Sequence, residues 1–408
     1  MDRRGFCAQS TAALLAMTLP VRAGATAGPA SIPPRIERST GEDTTLFLCG
    51  DVMTGRGIDQ ILPHPGAAYL FEAYMRSARG YVALAEQANG PIGRHVESGY
   101  VWGDAAAELE RVRPAARIVN LETAVTRSDD AWPEKGIHYR MHPANTPCLT
   151  AAAIDCCVLA NNHVLDWGYA GLAETLDALH RAGVRTAGAG ANAREAWAPA
   201  ILELGPGRRV LVFAFGMESA GVPREWAASE DSAGVAFVEA LSAAAVEAIG
   251  DRVRAVRRPG DLVVTSVHWG GNWGYAIPDA HRSFAHRLID DADVDAVHGH
   301  SSHHPQGIEI HRGRPILYGC GDFLNDYEGI GGHASFRPEL TLMYFPSFDA
   351  TGRLTRFCAT PMRIRRFRLE RASASDALWL AALLTREGRA LGTAVEPQED
   401  GSLAVRWH

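Results

Sequence analysis

The sequence predicts an α/β protein in which helices cover buried strands, and two kinds of segment predict it. Leucines recur at helical spacing in LAETLDALHRAG (172–183), where Gly183 is a plausible C-cap. Alternation of such helices with short strands is typical of a sheet that helices bury. The strands are predicted from apolar runs rich in β-branched residues, namely TTLFLCGD (44–51), ARIVNLET (116–123), DCCVLANNH (155–163), DLVVTSVHWG (261–270) and VDAVHGH (294–300).

Later segments extend the same pattern without a repeat or a low-complexity linker. We therefore expect one elaborated domain over 44–330, which residues 331–408 extend with a β-meander and a helix. Pro259 and Gly260 are expected to stop the helix that precedes them. The further predicted elements are helices over 238–260 and 281–292, hairpins over 200–215 and 307–319, and the β-meander over 340–370.

The first 27 residues predict an export signal. Arg3 and Arg4 precede an apolar stretch over 12–19, and the small residues ATA end at Ala27. A charged start, a short apolar middle and a small-residue exit are the parts of a secretory signal, and the arginine pair resembles a twin-arginine signal. The protein is therefore expected outside the cytoplasm, in the periplasm or the extracellular space.

Charge and cysteine content exclude several classes of function. The formal net charge of the 408 residues is −7, which argues against nucleic acid or an anionic membrane as the main partner. An anionic substrate would need a local positive centre, which bound cations would supply. No CxxC occurs, so a structural zinc ribbon is not expected. The sequence does not exclude disulfides. Four cysteines lie in apolar runs, however, and are expected to be buried thiols: Cys49, Cys156, Cys157 and Cys320.

Each of the five predicted strands ends in side chains that could bind a metal. In α/β sheets, sites form at the carboxyl ends of the strands, so these side chains are expected to converge. A mixture of carboxylate, amide and imidazole suits Mn²⁺, Fe²⁺ or Zn²⁺ better than Ca²⁺ or Mg²⁺. The set is large enough for one or two divalent ions: Asp51, Asn120, Glu122, Asn161, Asn162, His163, His268, His300 and His303.

The motifs that contain these residues resemble, in order, those of the capsule-synthesis protein CapA family. They are GDVMTGRGID, NLETAV, LANNHVLDWGYAGLAETLDAL, GAGANAREA, HWGGNW and GHSSHHPQGIEIHRGRPILYGCGDF, and together they span roughly residues 44 to 325. That family is associated with poly-γ-glutamate synthesis and is related to the calcineurin-like metallophosphoesterases. The resemblance implies a four-layer α/β/β/α sandwich with its site above the strand ends.

The resemblance also implies roles for individual residues. Asp51 would bind a first metal, and Glu122 would bridge both metals. His163 would be the general acid, with Asp166 as its nearest partner in the sequence. The ligands that complete the two metal positions would be Asn162, His268, His300 and His303.

Three residues are candidate substrate contacts, and one of them has two equal interpretations. Arg56 could bind an anionic group of the substrate, or it could pair with a surface acid. Asn120 at a strand end and Trp269 beside His268 are the other two candidates.

The chain departs from the phosphoesterase pattern at two motifs. Met53 stands where phosphoesterases have the histidine of Asp-x-His, so the first metal is expected to be weakly bound, differently liganded or absent. Two residues, not one, separate His300 from His303, and Asp322 in GDF is a candidate replacement ligand.

The histidine cluster HGHSSHHPQ (298–306) contains two further histidines that we do not expect to be ligands. We predict a structural role for His298. We predict that His304 lies in an exposed loop.

Two functions remain open from the sequence. The first is a metal-dependent hydrolase of phosphoester, amide or peptide-like bonds, acting on a small phosphorylated or γ-glutamyl substrate or on an anionic polymer. The second is a non-catalytic component that binds the capsule polymer poly-γ-glutamate, together with membrane capsule-synthesis proteins. His163 favours hydrolysis, because binding alone needs no general acid, whereas Met53 favours binding.

Overall fold

The computed structural model describes residues 43–205 and 207–408. The predicted export signal lies outside these residues. No helix in the described part of the chain is long and apolar enough to cross a membrane. The six cysteines of this part are free, and all except Cys358 are buried, which confirms the prediction of buried thiols.

The described residues alternate between strands and helices. The strands are β1 (Thr44–Val52), β2 (Ala116–Leu121), β3 (Ala124–Val125), β4 (Arg140–Met141), β5 (Cys156–Val158), β6 (Arg185–Ala187), β7 (Ala189–Gly190), β8 (Ala200–Gly205), β9 (Arg208–Gly216), β10 (Gly234–Val235), β11 (Leu262–His268), β12 (Ala296–His300), β13 (Ile308–His311), β14 (Arg314–Leu317), β15 (Asp322–Leu324), β16 (Leu340–Phe348), β17 (Leu354–Arg365), β18 (Arg368–Arg371), β19 (Thr393–Pro397) and β20 (Leu403–Trp407). The α-helices are α1 (Arg56–Asp59), α2 (Ala78–Asn89), α3 (Gly103–Val112), α4 (Pro147–Ala151), α5 (Gly168–Arg181), α6 (Ala193–Ala196), α7 (Ala243–Val256), α8 (Asp279–Asp291) and α9 (Ala374–Gly388).

Two large sheets contain most of these strands. The first has the order β19-β20-β17-β16-β1-β2-β5-β6, with β15 also paired to β1 and β18 to β17. The second has the order β13-β14-β12-β11-β9-β8. The strands β1, β2, β5 and β6 are parallel, and so are β9, β11, β12 and β14. Parallel strands bring their carboxyl ends to one edge, which is where the candidate site lies.

The second sheet is buried on both faces, because alternate residues of a strand point to opposite sides. Val210 and Val212 of β9 belong to the core shared with the first sheet. Leu211 and Phe213 belong to a second core, which includes Leu288 of α8 and buried residues of α7. Helices α3 and α5 contribute to the core of the first sheet. This arrangement confirms the predicted α/β class and is consistent with a layered sandwich of helices and two sheets.

Predicted and observed elements differ mainly at their ends. The helix expected over 238–260 begins at Ala243, because the Ser242 side chain accepts the Ala245 N–H at 3.2 Å and caps it. The meander over 340–370 forms β16 to β18, and β16 pairs antiparallel with β1. Among the elements that were not predicted are helices α2 and α3 and strands β6, β15, β19 and β20.

Candidate metal centre

A chain of two amides fixes Asp51 at the carboxyl end of β1. Asn120 of β2 is its register partner, and Asn161 follows β5, the next strand of the sheet. Asn161 Nδ2 donates to Asn120 Oδ1 at 3.0 Å, and Asn120 Nδ2 donates to Asp51 Oδ1 at 2.7 Å. The Asp51 carboxylate is therefore held across three neighbouring strands. Asn161 Oδ1 also accepts the backbone N–H of His163 at 3.1 Å, so the same chain positions that histidine.

Asp322 lies beside Asp51 because the backbones of β1 and β15 approach closely. The two aspartates are register partners in this parallel pair. At Gly50 an added Cβ would lie 1.5 Å from the carbonyl oxygen of Gly321, so this approach requires glycine. Asp322 is therefore available to replace the ligand that Met53, which is fully buried, cannot supply.

Hydrogen bonds on the far side of His300 leave its Nδ1 unprotonated. His298 Nε2 donates to the carbonyl oxygen of Cys49 at 2.7 Å, so His298 Nδ1 accepts the Ser266 hydroxyl at 3.1 Å. Ser266 Oγ, having used its proton, accepts from His300 Nε2 at 2.8 Å. His300 Nδ1 therefore faces the site with a free lone pair. This chain joins β12 of the second sheet to β1 of the first.

His268 presents the same kind of lone pair to His300. Its Nε2 donates to Asn162 Oδ1 at 3.1 Å, which leaves Nδ1 as an acceptor. The Nδ1 atoms of His268 and His300 lie 2.8 Å apart. Two lone pairs that face each other at this distance repel, and a cation between them would remove the repulsion.

Asp51 is common to two groups of side chains that could hold a metal ion. Within each group, one ligand atom per residue lies within 4.8 Å of the others. The two groups are Asp51, His268 and His300, and Asp51, His303 and Asp322.

Glu122, which was predicted to bridge the metals, lies to one side of these groups. Its Oε1 is 3.7 Å from His163 Nε2 and 4.0 Å from His268 Nε2. Its Oε2 is buried and has no hydrogen-bond partner among the described residues. Asp51 therefore belongs to both groups and Glu122 to neither, and the role of Glu122 as the bridging ligand stays a prediction.

The charges of the site fit the binding of cations. Burial and the charge of Asp322 raise the pKa of Asp51 to about 7. Burial and the charge of Asp51 raise the pKa of Glu122 well above its usual value. Burial lowers the pKa values of His268 and His300, which keeps both rings in the neutral form that binds metals. Buried carboxylates that repel one another, beside neutral imidazoles and an unpartnered carboxylate oxygen, form a donor set suited to a divalent ion.

His163 and Asp166 form a hydrogen-bonded pair beside this centre. His163 Nδ1 lies 2.7 Å from Asp166 Oδ2, and Nε2 is directed towards Glu122. Asp166 is fully buried and also accepts the Tyr139 N–H at 2.6 Å, which fixes its orientation. Burial lowers the pKa of His163 to about 4, although Asp166 acts in the opposite direction. The predicted partner of His163 is therefore confirmed as a contact, while its role as general acid stays a prediction.

Lys135, which sequence reasoning missed, contacts this pair. Its Nζ lies 3.0 Å from His163 Nδ1, donates to the Asn162 carbonyl oxygen at 2.5 Å and forms an ion pair with Asp166. It comes from the segment between β3 and β4, far from any strand end, so motif order gave no indication of it. One signal was present, because Lys135 is the only lysine among the 40 Lys and Arg residues of the sequence.

Arg56 pairs with two buried acids. Its Nε and Nη2 donate to Asp326 at 3.0 and 2.5 Å, and its Nη1 donates to Glu72 at 2.9 Å. The guanidinium also lies over the rings of Tyr81 and Tyr139. Of the two interpretations from the sequence, the structure therefore shows the acid pair, although the acids are in the interior and not on the surface.

The other two candidate substrate contacts also have partners inside the protein. Asn120 is fully buried, with both ends of its amide used by Asn161 and Asp51. Trp269 is buried, its Nε1 donates to the Tyr318 carbonyl oxygen at 2.8 Å, and its ring stacks on His281. We therefore assign Asn120 to the positioning of Asp51 and Trp269 to packing.

The prediction that His304 is exposed is wrong. Its side chain is fully buried, its Nε2 accepts the Gly274 N–H at 3.0 Å, and its ring stacks on Phe336. The 3₁₀ turn that contains Phe336 covers the loop, and the sequence did not indicate this contact. His303 lines a cleft together with five aromatic residues: Tyr74, Tyr81, Tyr139, Trp273 and Tyr327.

The hydrogen-bond chain through Ser266 predicts a loss of metal affinity in Ser266→Ala. Without the hydroxyl, nothing holds the proton of His300 on Nε2, and we expect metal binding to weaken by about 10- to 100-fold. The measurement is calorimetric titration of the metal-free protein with Mn²⁺ or Zn²⁺. Thr265→Val is the matched control, because its buried hydroxyl has no hydrogen-bond partner among the described residues. Equal affinities in the two variants would contradict the proposed tautomer of His300.

The sequence of the chain is similar to that of known bacterial proteins. Residues 45–327 match the family described as "Bacterial capsule synthesis protein PGA_cap". The chain is 49% identical over 363 residues to a "Probable polyglutamine synthesis accessory protein" of Mycobacterium tuberculosis, and the match covers 88% of this chain and 95% of that protein. It is 25% identical over 332 residues to the "PGA biosynthesis protein CapA" of Bacillus subtilis, covering 81% of this chain and 74% of that protein.

Proposed function

Because the chain belongs to the bacterial capsule synthesis protein PGA_cap family, we propose that it is a metal-dependent hydrolase that acts in capsule or poly-γ-glutamate metabolism. The observation that carries this proposal is the His163–Asp166 pair, with His163 Nε2 directed towards Glu122 beside the candidate ligands. A site that only binds a polymer has no need of a histidine held in this way. The pair therefore supports chemistry over binding alone.

In the proposed hydrolysis, different residues of the site bind the metal ions, orient His163 and deliver a proton. Asp51, His268, His300, His303 and Asp322 would hold one or two ions of Mn²⁺, Fe²⁺ or Zn²⁺, which polarise a phosphoryl or carbonyl oxygen and activate water when bound. Asp166 orients the imidazole of His163 through Nδ1. The Nε2 atom of His163 then delivers a proton to the leaving group.

The substrate we propose is anionic and has a phosphoester, amide or peptide-like bond. The net charge of −7 would repel such a molecule, so it would be attracted only where cations are bound. The aromatic cleft at His303 gives access to that position. A small phosphorylated or γ-glutamyl compound, or the end of a poly-γ-glutamate chain, meets this description.

The second candidate is a non-catalytic component that binds the capsule polymer with membrane capsule-synthesis proteins. The buried Met53 favours it, because this position supplies no strong ligand. Asp322 weakens this argument, since it lies in the group with Asp51 and His303.

The first experiment is to measure metal content by elemental mass spectrometry in protein purified without chelator. Turnover of phosphomonoesters, phosphodiesters and γ-glutamyl peptides is then assayed after reconstitution with Mn²⁺, Fe²⁺ or Zn²⁺. About two ions per chain together with turnover of any of these substrates would support the hydrolase. Bound metal with polymer binding and no turnover would support the second candidate. No metal after reconstitution would contradict the hydrolase and favour the second candidate.

We also propose export, which the arginine pair at positions 3 and 4 suggests. The full chain is expected to appear outside the cytoplasm when expressed in a bacterium with a twin-arginine pathway. The variant with Arg3→Lys and Arg4→Lys should stay in the cytoplasm, as cell fractionation and immunoblotting would show. Equal export of both chains would contradict a twin-arginine signal.

A further inference from the structure

We propose that the cleft lined by His303 binds an uncharged aromatic ring of the substrate, beside the anionic group that the metal ions hold. This inference rests on the proposed function, because it names the substrate class of the same site. His303 belongs to both features, since it lines the cleft and is also in the ligand group with Asp51 and Asp322. A substituent on an anion held at that metal position can therefore extend into the cleft.

The size and lining of the cleft fit one aromatic ring. Its volume is about 180 Å³, and an apolar cavity of about 150 Å³ is large enough to hold benzene. Its walls are formed by the five aromatic side chains already named and by the aliphatic side chains of Ile137, Ile330 and Pro338. Aromatic side chains attract a further ring through offset-stacked and edge-to-face contacts, in addition to the apolar area that they bury.

The charges of the cleft favour an uncharged occupant over a polyanion. Of the described residues that line it, Arg56 is the only one that is permanently charged. Its guanidinium already pairs with Asp326 and Glu72, and it lies over the rings of Tyr81 and Tyr139. Poly-γ-glutamate has a carboxylate in every residue, and those carboxylates would have no positive partner along these walls. A small substrate with one anionic end and one uncharged ring fits better.

Exposed apolar side chains are concentrated at this cleft. In the part of the chain that the structure describes, seven large apolar side chains are exposed, and three of them line the cleft, namely Tyr74, Ile137 and Ile330. Single exposed apolar residues are ordinary, but several that border one concave site are typical of a groove that binds a ligand. Tyr74 is 71% exposed, so its ring has free area for contact with a ligand.

The test compares three phosphonates by calorimetric titration of protein reconstituted with Mn²⁺ or Zn²⁺. Benzylphosphonate, cyclohexylmethylphosphonate and methylphosphonate have the same anionic group on a stable P–C bond and differ only in the substituent. We expect benzylphosphonate to bind about 10- to 100-fold more tightly than methylphosphonate, because the ring buries apolar area. It should also bind about 2- to 10-fold more tightly than cyclohexylmethylphosphonate, because of the ring contacts. Equal affinity for benzylphosphonate and either of the other two would overturn the proposal.

A pair of tyrosine variants locates the ring. Tyr74→Ser removes an exposed ring from the wall of the cleft, and it should reduce the preference for benzylphosphonate over methylphosphonate several-fold. Tyr69→Ser is the matched control, because Tyr69 is 56% exposed and does not line the cleft. The control should keep the preference of the wild type. An equal preference in the two variants would overturn the assignment of the ring to this cleft.

A measurement on metal-free protein makes the test independent of the metal centre. Saturation-transfer NMR with benzyl alcohol, an uncharged ring compound, should show transfer to the ring protons in wild type and in Tyr69→Ser, and weaker transfer in Tyr74→Ser. No transfer in wild type, or equal transfer in the two variants, would overturn the proposal.

Turnover separates this inference from the proposed function. Benzyl phosphate and methyl phosphate release alcohols of similar acidity, so a difference in kcat/KM between them reports binding of the ring. A preference for benzylphosphonate in a protein that hydrolyses nothing would support the ring site and contradict the hydrolase. Turnover of both esters with equal kcat/KM would support the hydrolase and overturn the ring site.

Discussion

Asp51→Asn is expected to abolish binding of both metal ions. Asp51 belongs to both groups of candidate ligands, so its loss removes a charged donor from each. Asp322→Asn is the matched control, because Asp322 belongs to only one group and should lose one ion of about two. Elemental mass spectrometry of the reconstituted variants gives both numbers directly. If Glu122→Gln loses both ions and Asp51→Asn only one, Glu122 bridges the metals and the placement of Asp51 is incorrect.

Thermal unfolding separates the loss of metal from a loss of structure. A bound ion stabilises the native state by about 2.7 kcal/mol when its concentration is one hundred times its Kd. The wild type should therefore unfold at a higher temperature when metal is added, and Asp51→Asn should not respond. Without metal, the variant should be at least as stable as the wild type, because the Asp51 carboxylate repels the buried Asp322. A metal-free variant that is much less stable would show that Asp51 has a structural role as well.

The convergence of strand ends was predictable from the sequence, because it depends on local pattern and on a general property of parallel sheets. Apolar runs with β-branched residues predicted β1, β2, β11 and β12. Strands β1, β11 and β12 each supply a candidate ligand, and Asn120 of β2 positions Asp51. The spacing of polar residues after each run also identified His163 and Asp166. These are contacts that a strand or a single turn imposes on neighbouring residues of the chain.

Contacts between segments that are far apart in the sequence could not be predicted from it. The position of Asp322 beside Asp51 depends on β15, which pairs with β1 across more than 250 residues of sequence. The burial of His304 depends on the turn at Phe336, and Lys135 reaches His163 from the segment between β3 and β4. No local periodicity describes such contacts. Only the composition, with one lysine in the whole sequence, gave an independent indication of Lys135.

The roles of polar residues at strand ends depend on their partners, which the sequence does not specify. Asn120 and Asp51 are both polar residues at the ends of parallel strands, and both were candidates for the site. The hydrogen bonds distinguish them, because Asn120 uses both ends of its amide within the protein, whereas Asp51 lies near two pairs of candidate ligands, His268 with His300 and His303 with Asp322. Positioning residues and ligands are therefore alike in sequence and differ in geometry.

His163→Ala is expected to lower turnover by about 10²- to 10⁴-fold while both metal ions stay bound. His163 belongs to neither ligand group, and its nearest approach to Glu122 is 3.7 Å, so its removal should not release metal. The measurements are kcat on the best substrate of the screen and the metal content of the same preparation. Asp166→Asn is the companion variant, since it keeps the imidazole but removes the carboxylate charge that orients it.

The pair of variants distinguishes a hydrolase from a binding protein. In a hydrolase, both variants should still bind the substrate, and His163→Ala should lose more turnover because it has no group to donate the proton. In a protein that only binds the polymer, neither variant should change affinity by much, because neither side chain is among the candidate metal ligands. Full turnover in His163→Ala with metal bound would show that the proton comes from another group.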